Sequence, residues 1–408
     1  MSNVAVIGGG AAGLVAAYAA AENGNNVTVF EKNEKCGKKI YITGKGRCNV
    51  THDCAPEEFL SNVVNNAKFM TGAIYSFSPE KTMRFFENGG LRLKTERGAR
   101  VFPVSDKASD VTKCLEDYCK SAGVKFNFNE KVVKISILNS TVSDIITTKA
   151  RYCVDKVIVC TGGLSYPSTG STGDGYAFAQ YAGHEIVTPR QGLCGLNLKG
   201  AYYKQLQGLA LKNVKLNLYY KEKKLKEFFG EMLFTHFGVS GPIVLSCSSL
   251  INRLELKDVK LSIDLKPALS NEQLDLRLLR DFDAYKNKSI GNCLKELLPS
   301  ALIPVVLERS KIDESKKVNC VTRNERQSLL TNIRNFDMLV SSLRGFEEAI
   351  ITSGGVAVKD INPKTMESKL VKGLYFCGEV LDIDAFTGGF NLQLAFSTGF
   401  AAGNSIKD

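Results

Sequence analysis

The chain has 408 residues, 44% hydrophobic and 23% charged, which suits two or three packed domains and excludes a mainly disordered chain. Its 12 cysteines are irregularly spaced with no Cys-x-x-Cys, and there are three histidines, so zinc ribbons, zinc fingers and compact disulfide scaffolds are excluded and no metal site is expected. The balance of 53 Lys and Arg against 42 Asp and Glu gives +11 at pH 7, a charge compatible with nucleic acid, anionic lipid or an anionic ligand.

Residues 1–21 carry no charge, and Ala17 to Ala21 resembles a signal-peptidase site, but the positive n-region of a signal peptide is missing and four glycines interrupt the run. The expected protein is therefore soluble and cytoplasmic, without a membrane partner. The same segment reads as strand, turn and helix: Val4 to Ile7, then Gly8-Gly-Gly-Ala-Ala-Gly13, then Leu14 to Glu22. Gly8-x-Gly10-x-x-Gly13 in that context is a dinucleotide fingerprint. Gly8 makes the tight turn, Gly10 admits a pyrophosphate, and Gly13 lets helix and strand pack closely. A second strand, Asn26 to Phe30, ends in Glu31, whose carboxylate suits ribose hydroxyls and repels a 2′-phosphate.

Further along, a helix is expected over Ser109 to Ala122, then a strand pair at Lys125 to Phe128 and Lys131 to Ile137. Lys156 to Cys160, followed by Thr161-Gly-Gly163, is a buried strand running into glycines. From Lys199 to Lys226 there are eight lysines against one acid, Glu222, and Leu211 to Leu218 partly alternates, which predicts a strand with a solvated lysine face. Helical spacing of Leu274, Leu278 and Phe282 marks a later helical stretch. Near the carboxyl end, an apolar strand over Leu370 to Cys377 runs into Gly378-Glu379, and a helix is expected over Phe390 to Asn404. The fingerprint alone does not separate FAD from NAD, but a second glycine-rich turn with an acid and a second helix N-terminus suits a long cofactor supported at both ends.

The motifs together closely resemble the BaiN/YhiN-like family of FAD-dependent flavoproteins, a group with bile-acid 4,6-reductase and aminoacetone oxidase-like members. Its carriers here are the fingerprint, Thr43-Gly-Lys-Gly-Arg-Cys-Asn-Val-Thr51, Arg100-Val-Phe-Pro-Val-Ser-Asp106, the run from Thr161 to Gly175, Phe234-Thr-His-Phe-Gly-Val-Ser-Gly-Pro242, and Gly378 to Gln393. The resemblance covers essentially the whole chain. It implies an α/β fold: a discontinuous Rossmann-like FAD domain with an inserted β-barrel-like region that carries a helical subdomain. Expected boundaries are 1–189 and 344–408 for the FAD domain and 190–343 for the insert, β-rich over 190–267 and mainly helical over 268–343. The expected cofactor-binding set is Gly8, Gly10, Ala11, Ala12, Gly13, Glu31, Lys32, Gly46, Arg47, Cys48, Asn49, Val133, Thr161, Gly162, Gly378, Glu379, Gly389, Asn391 and Leu392.

Because only one stretch satisfies the full fingerprint context, NADH or NADPH is expected as a transient electron donor without a Rossmann site of its own. The expected reaction is reduction of a C=C bond conjugated to a ketone, with a 3-oxo-4,6-unsaturated bile acid or steroid implied by the resemblance. Such a reaction needs an enolate oxygen stabilised and a proton delivered to the α-carbon. Tyr166 is the candidate proton donor, and His236 or Arg100 the candidate for the oxyanion. Against catalysis stand a turn role for Tyr166 beside Pro167, a core position for His236 between aromatics, and ion pairing for Arg100. The expected partner is a small, anionic molecule and not nucleic acid. Alternatives from other classes are an oxygen-using oxidase of a small amine such as aminoacetone, a flavin-dependent RNA-modifying enzyme, and a non-catalytic FAD-binding protein.

Overall fold

The structure, a computed structural model, describes residues 1–407 and separates into two compact units, Met1–Gly192 with Gly345–Asp408, and Leu193–Arg344. The first unit is built on a five-stranded parallel sheet ordered Leu374–Phe376, Lys156–Val159, β1 (Asn3–Ile7), β2 (Asn26–Glu31) and Lys125–Phe128. Except for the edge strand Lys125–Phe128, which is partly exposed, these strands are mainly apolar runs buried on both faces. Between β1 and β2 lies helix α1 (Ala11–Glu22), rich in alanine and buried along most of its length. It packs on the carboxyl-terminal helix Phe390–Ser405 through small residues: a Cβ on Gly399 would collide with the Ala12 carbonyl, and one on Gly403 with the Ala16 carbonyl.

The expected helix near Ser109 forms as Ala108–Ser121. The expected pairing of Lys125–Phe128 with the strand after it does not form. Lys125–Phe128 instead extends the parallel sheet beside β2, and Val132–Leu138 makes a hairpin with Thr141–Thr147. Asn139 and Ser140 both take positive φ, the geometry of a two-residue hairpin turn, so the nearer partner in sequence captures the second strand. The carboxyl-terminal strand is shorter than expected, Leu374–Phe376, because Gly373 turns at φ +80° just before it.

The second unit is a closed six-stranded barrel ordered Leu196–Leu198, Gly238–Ser240, Lys223–Thr235, Ala210–Tyr220, Val259–Asp264 and Phe336–Leu343. Leu216, Leu218, Phe234, Leu261, Phe336 and Met338 are fully buried in its core. Two features depart from the expected split into β-rich and helical parts. Pro242–Ile251 is a helix within the β-rich stretch, and Phe336–Leu343 is a strand at the end of the helical one, pairing with both Leu196–Leu198 and Val259–Asp264 to close the barrel. Helices Asn271–Ala284 and Arg323–Arg334 both start with capping boxes, Ser270 with Gln273 and Thr322 with Glu325. Among the described residues no helix is long and apolar enough to cross a membrane.

Gly399→Ala is expected to cost about 1–3 kcal/mol, because the added methyl meets backbone and not a flexible side chain. A urea midpoint equal to that of the unsubstituted protein would show that the two helices do not approach this closely.

Candidate dinucleotide site

The parallel strands end at Ile7, Glu31, Val159 and Phe376, and the loops leaving these carboxyl ends hold most of the expected cofactor residues. Gly8 turns the chain at φ +102°, and a Cβ there would sit 2.6 Å from the Cys160 carbonyl oxygen. A Cβ on Gly13 would collide with the Gly8 carbonyl, so only glycine lets α1 start this close to β1. Gly10 is different: no atom lies within 4 Å of where its Cβ would be. Its missing side chain keeps open the space ahead of the α1 N-terminus, where Ala11, Ala12 and Gly13 present first-turn N–H groups. The buried Glu31 carboxylate is fixed beside this turn, accepting from Gly9 N at 2.8 Å and from Asn33 N and Nδ2 at 2.8 and 2.7 Å.

A second polar centre joins four chain segments. Glu379 Oε1 accepts from Ser165 Oγ at 2.7 Å and from Thr352 N at 2.9 Å, and Lys39 Nζ reaches Glu379 Oε2 at 2.7 Å. Lys39 also donates to Ser165, and Thr352 Oγ1 accepts from the Leu164 and Ser165 N–H groups. Gly378, at φ +73°, packs against Ala12, which ties this centre to the start of α1.

The remaining expected cofactor residues divide by what they touch. Asn49 Oδ1 and Thr161 Oγ1 are buried oxygens without a hydrogen-bond partner among the described residues, as expected of atoms that await a ligand. Val133 sits where the Val132–Leu138 ladder shifts register, so its backbone has no cross-strand partner in that ladder. Gly162 turns at φ +71°. Gly389, at φ +99°, precedes the last helix, and a Cβ there would lie 2.5 Å from the Thr51 backbone. Asn391 clasps its own loop, accepting from Ala385 N at 3.0 Å and donating to the Ala385 and Phe386 carbonyls, with Leu392 partly buried beside it.

Other expected residues are committed elsewhere. Lys32 donates to Thr172 and to Asp174 at 2.6 Å; burial opposes ionisation of Asp174, but Lys32 and Lys131 hold its carboxyl below the usual range. Arg47 pairs with Glu96 and Asp106 and lies over the Phe102 ring. Gly46 turns at φ +85°, and Cys48 is fully buried with its thiol pushed up to about 12 by burial, which makes it a packing residue and not a reactive thiol.

The three catalytic candidates lie on three different segments of the chain. Tyr166 follows Ser165 in a left-handed conformation, φ +51°, and its N–H donates to the Phe346 carbonyl at 2.9 Å. Burial, then the charge of Glu348, push its hydroxyl above the usual phenol range. Arg100 is exposed, donating to the Arg97 carbonyl at 3.3 Å. His236 is exposed at the turn after Lys223–Thr235, in the other unit, and is therefore not a core histidine.

Sequence reasoning missed Lys39, Ser165 and Thr352, and also Gln393. The fully buried Gln393 amide donates to Phe77 O, Thr82 Oγ1 and Ser397 Oγ and accepts from Thr51 Oγ1 at 2.6 Å, pinning the last helix. Its one available signal was a polar residue on an otherwise apolar helical pattern. Lys39 carried none, since its partners lie 126 and 340 residues away in the chain. Among the described residues no group of His, Cys, Asp and Glu is arranged to hold a metal ion.

The family model described as HI0933-like protein Rossmann domain matches residues 2–405. The 3-dehydro-bile acid delta(4,6)-reductase of Clostridium scindens is 31% identical over 412 residues, covering 100% of both chains. The ribosomal RNA dihydrouridine synthases of Haemophilus influenzae and Escherichia coli are 29% and 28% identical, covering 98% of this chain and 98% and 97% of theirs. Among solved structures, a 3-ketosteroid-delta4-(5alpha)-dehydrogenase from Rhodococcus jostii has a similar fold, with a TM-score of 0.56 at 15% identity over 99% of this chain and 96% of that one. The fingerprint geometry, the whole-chain model and the full-length relatives agree: the chain belongs to the HI0933-like Rossmann family and is a flavoprotein of the oxidoreductase type.

Proposed function

We propose that the protein is an FAD-dependent reductase that draws on NADH or NADPH and saturates a C=C bond conjugated to a carbonyl. The observations that support this reading are the open space at Gly10 ahead of the α1 N-terminus, the Glu31 carboxylate fixed by the Gly9 N–H, and the unpartnered buried oxygens of Asn49 and Thr161. Gly8 to Gly13 would hold the diphosphate, Glu31 the ribose of the adenosine half, and Val133, Thr161-Gly162 and the Gly378–Leu392 segment the remainder. Bound there, FAD supplies two-electron hydride exchange with a nicotinamide and with an unsaturated substrate.

Around it, this chain must exclude water, steady a developing enolate oxygen and deliver one proton. Tyr166 is the residue proposed for the proton step because a phenol is protonated at neutral pH; burial and the charge of Glu348 raise its pKa, which makes it a weaker acid than a free tyrosine. Arg100 or His236 is the residue proposed for the oxyanion, and both are exposed. The absence of a second full fingerprint favours a nicotinamide that docks transiently where the substrate later binds. Stopped-flow traces showing NADH and substrate bound together would overturn that arrangement.

The 31% identical bile-acid reductase favours a 3-oxo-4,6-unsaturated steroid as substrate. A second reading has its own support: the two dihydrouridine synthases act, by name, on ribosomal RNA, and the uracil ring also presents a C=C bond conjugated to a carbonyl. The charge distribution favours it further. Leu193–Arg344 contains 25 Lys and Arg against 16 Asp and Glu, a net +9, whereas the rest of the chain has 28 against 26.

Gly10→Val is expected to abolish the 450 nm absorbance of the purified protein while leaving its circular dichroism unchanged; a yellow variant would remove Gly10 from the cofactor site. Anaerobic mixing with NADH and NADPH is expected to bleach the flavin, and an unsaturated 3-oxo-steroid or a uridine-containing RNA to restore it faster than oxygen does. Fast reoxidation by oxygen with peroxide release, driven by a small amine and not by a nicotinamide, would overturn the reductase reading. Tyr166→Phe is expected to slow turnover about 100-fold or more at unchanged flavin content. Full turnover would exclude Tyr166 as proton donor.

A further inference from the structure

We infer that the long hairpin of the barrel, Ala210–Tyr220 with Lys223–Thr235, is the docking surface for a ribosomal RNA strand, an inference that rests on the RNA reading above. The inward face of the hairpin is apolar: Leu211, Val214, Leu216, Leu218, Met232 and Phe234 are buried in the barrel. Lys212, Lys221, Lys223, Lys224 and Lys226 are all exposed; register sets Lys224 opposite Tyr219 on the outward face, whereas Lys223 and Lys226 lie opposite Tyr220 and Leu218. Glu227 is the acid that pairs with hairpin lysines, reaching Lys215 at 3.3 Å and Lys224 at 2.7 Å.

Two observations separate this face from an ordinary solvated one. Between the lysines stand large apolar side chains, Phe229 at 64% exposure, paired in register with Lys215, and Leu225 at 50%, at a shift in register. Unpaired bases stack on such exposed aromatic side chains while phosphates find the ammonium groups. The tip is also strained. Lys221 and Glu222 both take positive φ, +48° and +61°, at the two positions that glycine, asparagine or aspartate normally fill. The strained turn holds a lysine at the most projecting point of the basic strip. RNA is favoured over an acidic protein because six lysines against three glutamates run along two extended strands, which suits a polyanion of regular charge spacing.

The test uses full-length, FAD-loaded protein and unmodified ribosomal RNA transcripts, with binding read by fluorescence anisotropy across salt concentrations. The triple variant Lys212→Gln, Lys221→Gln, Lys223→Gln is expected to weaken binding about tenfold or more and to lower the log–log salt slope by about two, at unchanged flavin content and unchanged nicotinamide-driven flavin reduction. Phe229→Ala alone is expected to weaken binding about tenfold with the salt slope intact. A control, Lys257→Gln, Lys286→Gln, Lys317→Gln, removes the same charge from exposed positions of the same unit outside the hairpin and is expected to change little. If wild-type protein binds RNA with a steep salt dependence but hairpin and control variants behave alike, the hairpin assignment fails while the RNA reading stands. If wild-type protein ignores RNA, or binds anionic vesicles in its place, both fall.

Discussion

Backbone-to-backbone approach around α1 is the constraint on which the first unit depends. Gly13 brings the helix onto the Gly8 carbonyl, and Gly399 and Gly403 bring the last helix onto the carbonyls of Ala12 and Ala16. With no side chains in these seams, the start of α1 is held by β1 on one side and by the carboxyl-terminal helix on the other. A helix N-terminus fixed this way presents its unpaired N–H groups at a constant place, which an anionic diphosphate needs and a mobile loop cannot offer. The split of the unit across the chain follows from the same packing, because residues 345–408 supply both a sheet strand and the helix that clamps α1.

Polar completion does the rest. Gln393 spends its amide on three acceptors and a threonine donor in a fully buried setting, so the helix that follows Gly389 has one rotation and one depth. Glu379 is similarly saturated by Lys39, Ser165 and the Thr352 N–H, each from a different segment. The unpartnered oxygens of Asn49 and Thr161 are two of several such buried atoms among the described residues, and both belong to the expected cofactor set. Arg47 and Lys32, also in that set, are held in local ion pairs, and Cys48 is fully buried.

Charge is divided as sharply as structure. The Rossmann unit is nearly neutral, while the barrel and its helices hold most of the excess. A net charge gathered in one unit gives that unit the stronger positive potential. The full-length relatives reported above are a bile-acid reductase and two ribosomal RNA dihydrouridine synthases, so the chemistry and the recognition surface are separable questions in this fold.

The sequence by itself determined the parts that depend on neighbours in the chain: the strand–turn–helix at Gly8 to Gly13, the acid ending β2, the last helix, and the family through ordered motifs. These are short-range patterns, where glycine spacing and apolar periodicity carry the physics. Only the tertiary structure decided the rest. It moved Lys125–Phe128 into the parallel sheet, used Phe336–Leu343 to close the barrel, set His236 at the surface, and joined Lys39 to Ser165 and Glu379. Each of these depends on a partner far away in the chain, and no local periodicity encodes which distant strand or carboxylate will lie at the end of a given side chain.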